Sequence, residues 1–271
     1  MVNFDFKNPA RIIFGEKSIS KVQGLLKQYD AHSVLLVTDG GGFAKTLGIY
    51  DEIKNACDKN GIKFYFTDKV VPNPKVELVR ELIQIGKDNK IDFLIAVGGG
   101  GPIDTAKSVA LGIPYDGDVW DFFDGKSTPK TAIPVGAVTT IPASGSETSN
   151  AAILSNGLFK KGFEDDMILP KFAIMDPTYT LSLPPFQTSA GCADIMSHLL
   201  ERYFTLVEHT DVTDYMLEGA IKACMLNSLR LMENLKNYDA RAEMQLLASL
   251  AHNGMLELGR TPDWASHRIE H

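Results

Sequence analysis

The sequence predicts an α/β fold, with an N-terminal domain built on a parallel sheet and followed by an all-helical C-terminal domain. Short β-branched runs alternate with amphipathic stretches over the first 185 residues, as in SVLLVTD at 33–39. Such alternation is typical of a parallel sheet covered by helices on both faces. Beyond Pro184-Pro185 no segment has a convincing strand pattern, and neither proline suits a helix interior. We therefore expect two domains, residues 1–185 and 186–271.

The individual elements follow from hydrophobic periodicity. The segment 75–90 places its apolar side chains largely on one helical stripe, which predicts an amphipathic helix. Strands are predicted at 33–39, at 62–67, at 92–101 (where the strand runs into a glycine turn), at 131–140 and at 172–176. Helices are predicted at 43–60, at 75–90 and after the glycine turn, then at 186–207, 211–235 and 239–259 and from about Asp263.

Composition and charge narrow the function classes. Hydrophobic residues make up 44% and charged residues 23%, which is typical of a globular protein. The formal net charge of −7 disfavours nucleic acid and anionic membranes as partners, because both favour basic patches. Cys57, Cys192 and Cys224 form no CxxC pair, so neither a disulfide framework nor a thiolate metal site is indicated. With no signal-peptide pattern, we expect a cytoplasmic protein.

A run of glycines follows the predicted strand that begins at Asp92. Gly98-Gly99-Gly100-Gly101 is followed by Pro102, which suits the first position of a helix. Glycines allow a pyrophosphate to approach the backbone closely, and a helix N-terminus offers free N–H groups. Ile103 stands where a GxGxxG motif would have its third glycine. The pattern therefore leaves two interpretations open, a phosphate cradle and a simple strand-to-helix turn.

Two carboxylates lie beside such turns. Asp104 falls in the first turn of the helix after the glycines, where it could compensate the helix dipole. Asp39 ends the first predicted strand, before Gly40-Gly41-Gly42. A carboxylate at that point of a nucleotide fold accepts hydrogen bonds from ribose hydroxyls, and it also initiates turns. A cluster of hydroxyl side chains in TTIPASGSETSN, 139–150, suits an anion or ribose contact without requiring one.

A metal site is indicated by polar residues at helical spacing. Asp194 and His198 are four residues apart, as are His267 and His271, so each pair shares one helix face. Carboxylate and imidazole side chains on facing helices form divalent metal sites in helical domains. The remaining histidines have no such partner, and His252 is interpreted as an ordinary helix-end residue. A chance pairing remains the alternative for Asp194 and His198, because a single carboxylate–histidine pair at this spacing is common.

The motifs taken together resemble the iron-containing (group III) alcohol dehydrogenase family, in particular its butanol dehydrogenase and aldehyde reductase branch. The resemblance extends from residue 2 to residue 271, and the motifs occur in the family's order. They are FDFKNPARIIFG, VVPNP, AVGGGGPIDTAKSVA, TIPASGSETSNAAI, FAIMDPTYTLSLPP, ADIMSHLLERYF and WASHRIEH.

The resemblance implies a dehydroquinate synthase-like fold, with a Rossmann-like N-terminal domain, a helical C-terminal domain and the site in the cleft between them. It places Asp194, His198 and His267 at metal-ligand positions, with Fe²⁺ or Zn²⁺ as the ion, and it makes His271 the catalytic residue that helps to move the proton. It also places a set of residues at positions that line the coenzyme. These are Asn73, Gly99, Gly100, Gly101, Asp104, Thr140, Ser149, Lys160 and Tyr179.

Two departures from the family pattern stand out. Family members often have Ser where this chain has Gly101, which removes one hydroxyl contact. The family's fourth metal ligand is a histidine beyond His271, so we expect either a fragment that is incomplete at its C-terminus or a naturally short protein with an incomplete metal site. The missing helices would have covered apolar faces around Leu199, Met225, Leu229 and Leu256, and we expect weak metal binding and little activity in the chain as given.

The implied activity is hydride transfer between NAD(P) and a small-molecule primary alcohol or aldehyde such as butanol or butanal (EC 1.1.1.-). Asp39 would repel the 2′-phosphate of NADP(H), so NAD(H) is expected to be preferred. The alternatives are a glycerol-dehydrogenase-like enzyme and a catalytically impaired coenzyme-binding fragment. The sequence leaves a homodimer open.

Overall fold

The computed structural model describes residues 1–270, and its centre is a six-stranded sheet in which every strand pair is parallel. An antiparallel hairpin of two further strands stands apart from it. The strands of the sheet are β1 (Arg11–Phe14), β2 (Ser33–Asp39), β3 (Lys63–Val70), β4 (Phe93–Gly98), β5 (Val135–Thr139) and β8 (Phe172–Met175), in the order β1-β8-β5-β4-β2-β3. The hairpin strands are β6 (Ala151–Asn156) and β7 (Phe159–Glu164). The expected α/β class with a parallel sheet is confirmed.

The α-helices surround the sheet and then form a separate layer after residue 184. They are α1 (Val22–Gln28), α2 (Phe43–Thr46), α3 (Ile49–Asn60), α4 (Val76–Asp88), α5 (Gly100–Gly112), α6 (Trp120–Phe123), α7 (Pro185–Tyr203), α8 (Asp211–Glu233), α9 (Tyr238–His252) and α10 (Ala265–Glu270). The predicted single helix over 43–60 is two helices, because Gly48 adopts a φ of 72° between them. The predicted helix over 239–259 ends at His252, ahead of Gly254 at a φ of 87°.

Side chains of the central strands alternate between two hydrophobic clusters, one on each face of the sheet. Leu35 and Val37 of β2 pack with α4 and α5, whereas Val34 and Leu36 pack with α1 and α3. This alternation is the period-two pattern of a strand that is buried on both sides. The sheet is therefore covered on both faces.

The strand order reverses between β2 and β4. From β2 the chain continues outward to β3 through α3, while from β4 it passes to β5 through α5 on the opposite face. In open parallel sheets the crevice at such a reversal, at the carboxyl ends of the strands, is the place where ligands bind. Asp39 and Gly98 end these two strands, so the fold brings both predicted coenzyme elements to that crevice.

Helices α7, α8 and α9 pack together around a third cluster that includes Ile195 and Leu217. The expectation of uncovered apolar faces is wrong for Leu199 and Leu256, which are buried in this cluster. Met225 and Leu229 are exposed, as expected. Among residues 1–270 no helix is both long and apolar enough to cross a membrane.

Helix α9 joins the helical layer to the loop that follows β5. Gln245 Nε2 donates to the carbonyl of Thr139 at 3.1 Å, and the Ser249 hydroxyl donates to the Glu147 carboxylate. The side-chain amide of Asn8 donates to the carbonyls of Thr148 and Asn253, at 2.8 and 2.9 Å. Hydrogen bonds therefore connect the helical layer and the N-terminal segment to the loop that follows β5.

Candidate active site

A cleft of about 620 Å³ lies between the glycine turn, the β6–β7 hairpin, the middle of α7, the end of α9 and helix α10. It brings coenzyme and metal candidates from both parts of the sequence to one place. Of the predicted site residues, those that line it are Asn73, Gly100, Gly101, Asp104, Ser149, Lys160, Asp194, His198 and His267.

The candidate metal ligands form a compact cluster at one end of the cleft. Asp194 and His198 lie one turn apart on α7, and His267 approaches from α10. Their ligand atoms all lie within 4.8 Å of one another. Asp194 Oδ1 is 3.8 Å from His198 Nδ1 and 3.8 Å from His267 Nε2. One carboxylate oxygen and two imidazole nitrogens are a ligand set that suits Fe²⁺ or Zn²⁺.

Of the two imidazoles, that of His198 is the one whose protonation state suits a bound cation, whereas that of His267 must give up a proton to the ion. His198 Nδ1 is buried, with no hydrogen-bond partner among the described residues. Burial lowers the pKa of His198 to about 4, against the attraction of Asp194, so its ring is neutral with a lone pair to offer near pH 7. A hydrogen bond to Asp194 raises the pKa of His267. A buried polar atom without a partner is costly, and an ion at this position would satisfy it.

Glu201 is a part of the metal cluster that sequence reasoning missed. Its Oε1 lies 3.4 Å from His267 Nδ1 and accepts from the backbone N–H of Ser266 at 2.7 Å. Histidine ligands commonly donate their second ring nitrogen to a carboxylate, which orients the ring toward the ion. Glu201 follows His198 by three positions on α7, and this spacing was the available signal. His271, the predicted catalytic residue, lies outside the described residues.

The glycine turn has the geometry of a close-approach site. Gly98 adopts a φ of 146°, and Gly99 precedes the first residue of α5. A Cβ on Gly100 would lie 2.8 Å from Ser144 Oγ, whereas on Gly101 it would meet no atom nearer than 3.7 Å. The turn therefore requires glycine at 98 and 100, and it leaves space at 101. Free N–H groups of the thirteen-residue helix α5 begin there.

The other coenzyme candidates divide into three groups. Asp39 accepts from the backbone N–H of Gly41 at 2.9 Å, so one of its oxygens stabilises the turn at the crevice. Asp104 accepts from Ser146 Oγ at 2.6 Å and from Ile153 N at 3.2 Å, so its carboxylate anchors the neighbouring loop and hairpin. Thr140 and Tyr179 are buried and are not brought to the cleft; Tyr179 packs in the cluster on the α1 and α3 face.

Lys107 is the second residue that sequence reasoning missed. It lies on α5 with no exposed surface, and its ammonium donates to Ser146 O, Ser146 Oγ, Ser149 O and Ala151 O at 2.7 to 2.9 Å. Burial lowers the pKa of Lys107 to about 8, and the nearby carboxylates of Asp104 and Glu147 oppose that shift. The lysine thus holds the loop that forms one wall of the cleft. The signal was an α5 sequence of small and apolar residues with only Asp104 and Lys107 charged.

A dinucleotide crevice that faces a cluster of nitrogen and oxygen ligands is typical of metal-dependent dehydrogenases. Residues 9–177 match the sequence model of the iron-containing alcohol dehydrogenases, and residues 188–271 match that of the C-terminal part of the same family. The chain belongs to the iron-containing alcohol dehydrogenase family, so the resemblance inferred from the motifs is confirmed.

Individual relatives agree with this assignment. NADH-dependent butanol dehydrogenase A of Clostridium acetobutylicum is 38% identical over 273 residues, which cover 100% of this chain and 70% of that protein. NADPH-dependent aldehyde reductase YqhD of Escherichia coli is 33% identical, with 100% and 70% covered. The crystal structure of NADH-dependent butanol dehydrogenase A from Thermotoga maritima superposes with a TM-score of 0.96 at 37% identity, covering 100% of this chain and 68% of that one.

Proposed function

We propose that the protein transfers a hydride between NAD(H) and a small primary alcohol or aldehyde, such as butanol or butanal, with a divalent ion at its site. The observation that carries the proposal is that the glycine turn and the cluster of Asp194, His198 and His267 line the same cleft. The relatives named for NADH-dependent butanol dehydrogenase activity support the substrate class.

Each part of the cleft has a separate task in this proposal. The backbone of Gly99 and Gly100 binds the pyrophosphate of the coenzyme, and Asp39 accepts from its adenine ribose. Asp194, His198 and His267 hold the ion. When bound, the ion supplies Lewis-acid polarisation of the substrate oxygen, and the nicotinamide supplies the hydride acceptor or donor.

Two further side chains, those of Glu201 and Lys107, keep this arrangement in place. Glu201 orients the His267 ring from behind, and Lys107 holds the loop over the glycine turn. The proton that accompanies the hydride is assigned to His271 by resemblance to the family. We further propose a cytoplasmic location, which the free Cys57, Cys192 and Cys224 support, and a homodimer as an assembly to be tested by sedimentation.

The test combines metal content with turnover. The protein loaded with Zn²⁺ or with Fe²⁺ under nitrogen should hold one ion per chain and should oxidise NADH in the presence of butanal. Weak metal binding with little turnover is the opposing expectation from the sequence, and the same measurement tests it. His267→Ala should abolish both metal retention and turnover, while its NADH affinity stays within about threefold of that of the metal-free native chain, since the glycine turn is left unchanged. His32→Ala, at an exposed position outside the cleft, is the control. Retention of metal and activity by His267→Ala would refute the ligand assignment.

A further inference from the structure

His252, the last residue of α9, lies between the coenzyme wall and the metal cluster. Its ring stacks on the ring of His198, with centroids 4.6 Å apart and planes at 29°. The indole of Trp264 packs against it at 5.5 Å. The imidazole therefore touches a metal ligand with one face.

The same imidazole is bound to the loop on the coenzyme side. His252 Nδ1 lies 2.6 Å from the carbonyl oxygen of Ser144. A carbonyl oxygen can only accept a hydrogen bond, so Nδ1 carries the hydrogen and donates it. This contact fixes the tautomer and, together with the ring stacking, the orientation of the ring.

The loop that receives this hydrogen bond is also part of the coenzyme cradle. Ser144 Oγ is the atom that a Cβ on Gly100 would meet at 2.8 Å, so this loop and the glycine turn are in contact. Two residues further on, the backbone of Ser146 accepts from the buried ammonium of Lys107. A coenzyme seated on the glycine turn would therefore restrict the position of the Ser144 carbonyl.

We propose that His252 is a positioning residue that couples coenzyme binding to metal binding. The proposal rests on the function proposed above. Coenzyme orders the 144–149 loop, the Ser144 carbonyl then holds the His252 ring, and that ring restricts the rotamers open to His198. Because the His198 side chain is then already ordered, less conformational entropy is lost when the ion binds. By thermodynamic reciprocity the ion must tighten the binding of NADH by the same factor.

The experiment measures Co²⁺ affinity by chelator competition, with and without saturating NADH, and NADH affinity with and without Co²⁺. We expect at least about fivefold tightening in both directions for the native chain. His252→Phe keeps a ring against His198 and loses the donor, while His252→Gln keeps a donor for Ser144 and loses the ring. Both variants should reduce the coupling below about twofold, with Co²⁺ affinity in the absence of NADH within about threefold of native.

Two controls make the result specific. His32→Phe, whose side chain is 71% exposed, should keep the native coupling. The visible spectrum of bound Co²⁺ should change when NADH is added to the native protein and should not change in His252→Phe.

Different failures separate the two proposals. If NADH and Co²⁺ each bind the native chain but neither changes the affinity for the other, the role of His252 is refuted and the proposed function stands. The same holds if both variants keep the full coupling. If the native chain binds neither NADH nor Co²⁺, both proposals are refuted.

Discussion

At the scale of single residues, Glu201 offers a direct test of how the metal ligand His267 is held. Glu201→Gln keeps an oxygen that can accept from Ser266 N–H, so the start of α10 is preserved, but it removes the carboxylate beside His267 Nδ1. We expect Zn²⁺ affinity to fall about 10- to 100-fold, the usual effect of losing such a partner. Chelator competition on the purified variant measures it. An unchanged affinity would show that Glu201 serves only the helix start.

Asp39 carries the expected coenzyme preference. The native chain should use NADH with a higher kcat/KM than NADPH, because the carboxylate would face the 2′-phosphate as a like charge. Asp39→Asn keeps an acceptor for Gly41 N–H and removes the charge, so it separates the turn role from the charge role. It should shift the NADPH/NADH ratio of kcat/KM about tenfold, equivalent to ~1.4 kcal/mol.

Two results would contradict this expectation. The native chain could use both coenzymes equally, or Asp39→Asn could leave the ratio unchanged. In either case Asp39 is a turn residue without a role in selecting the coenzyme. The mixed coenzyme use among the relatives makes this measurement informative.

At the scale of elements, the stability of α5 and of the loop bound to it depends on the buried Lys107. Lys107→Met removes the cation that holds Ser146, Ser149 and Ala151, and leaves the buried Asp104 and Glu147 carboxylates without it. Breaking a buried charged network of this kind costs about 3–5 kcal/mol. Urea unfolding should show that loss, and NADH binding should weaken with it.

The control for Lys107→Met is the same substitution at an exposed lysine on another helix. Lys54 on α3 makes an exposed i,i+4 pair with Asp58 at 2.7 Å. Lys54→Met should leave the urea midpoint nearly unchanged, because exposed pairs are screened by solvent. Equal effects of the two substitutions would show that the four contacts of Lys107 contribute little to stability.

Hydrophobic periodicity predicts the positions of the buried elements of this fold. It fails for elements whose side chains stay largely exposed. Strand β2 and helix α4 are apolar on their packed faces, so their patterns give their positions. Every residue of strand β7, FKKGFE, is exposed or half-buried, so its polar sequence does not predict a strand. Its two-residue turn, Gly157-Leu158 with Gly157 at a φ of 59°, was the available signal.

The site residues also divide into those that sequence patterns predict and those that only the tertiary structure reveals. Helical spacing brings Asp194 and His198 together without knowledge of the fold, and motif resemblance adds His267. The roles of Lys107 and His252 depend on residues about 40 and 108 positions away, Ser146 and Ser144, which only the tertiary structure brings near. Lys107 carries a side chain typical of a helix surface, yet packing encloses it completely.

At the scale of the whole molecule, the two layers should unfold together. Gln245 and Ser249 of α9 supply hydrogen bonds to Thr139 and Glu147 of the α/β layer, and unfolding of α9 would break both of them. We expect one transition in calorimetry, with a van't Hoff enthalpy equal to the calorimetric one. Two resolved transitions, or a fragment of residues 1–185 as stable as the full chain, would contradict this.

Helix α9 therefore sets a condition for recombining members of the family. A chimaera that joins residues 1–185 of this chain to the helical part of a relative acquires a foreign α9 as its partner. Such a hybrid needs an amide at the position of Gln245 and a hydroxyl at the position of Ser249. These groups must donate to the Thr139 carbonyl and the Glu147 carboxylate, which remain in residues 1–185. A crossover placed beyond residue 252 keeps α9 with the half whose polar groups it satisfies.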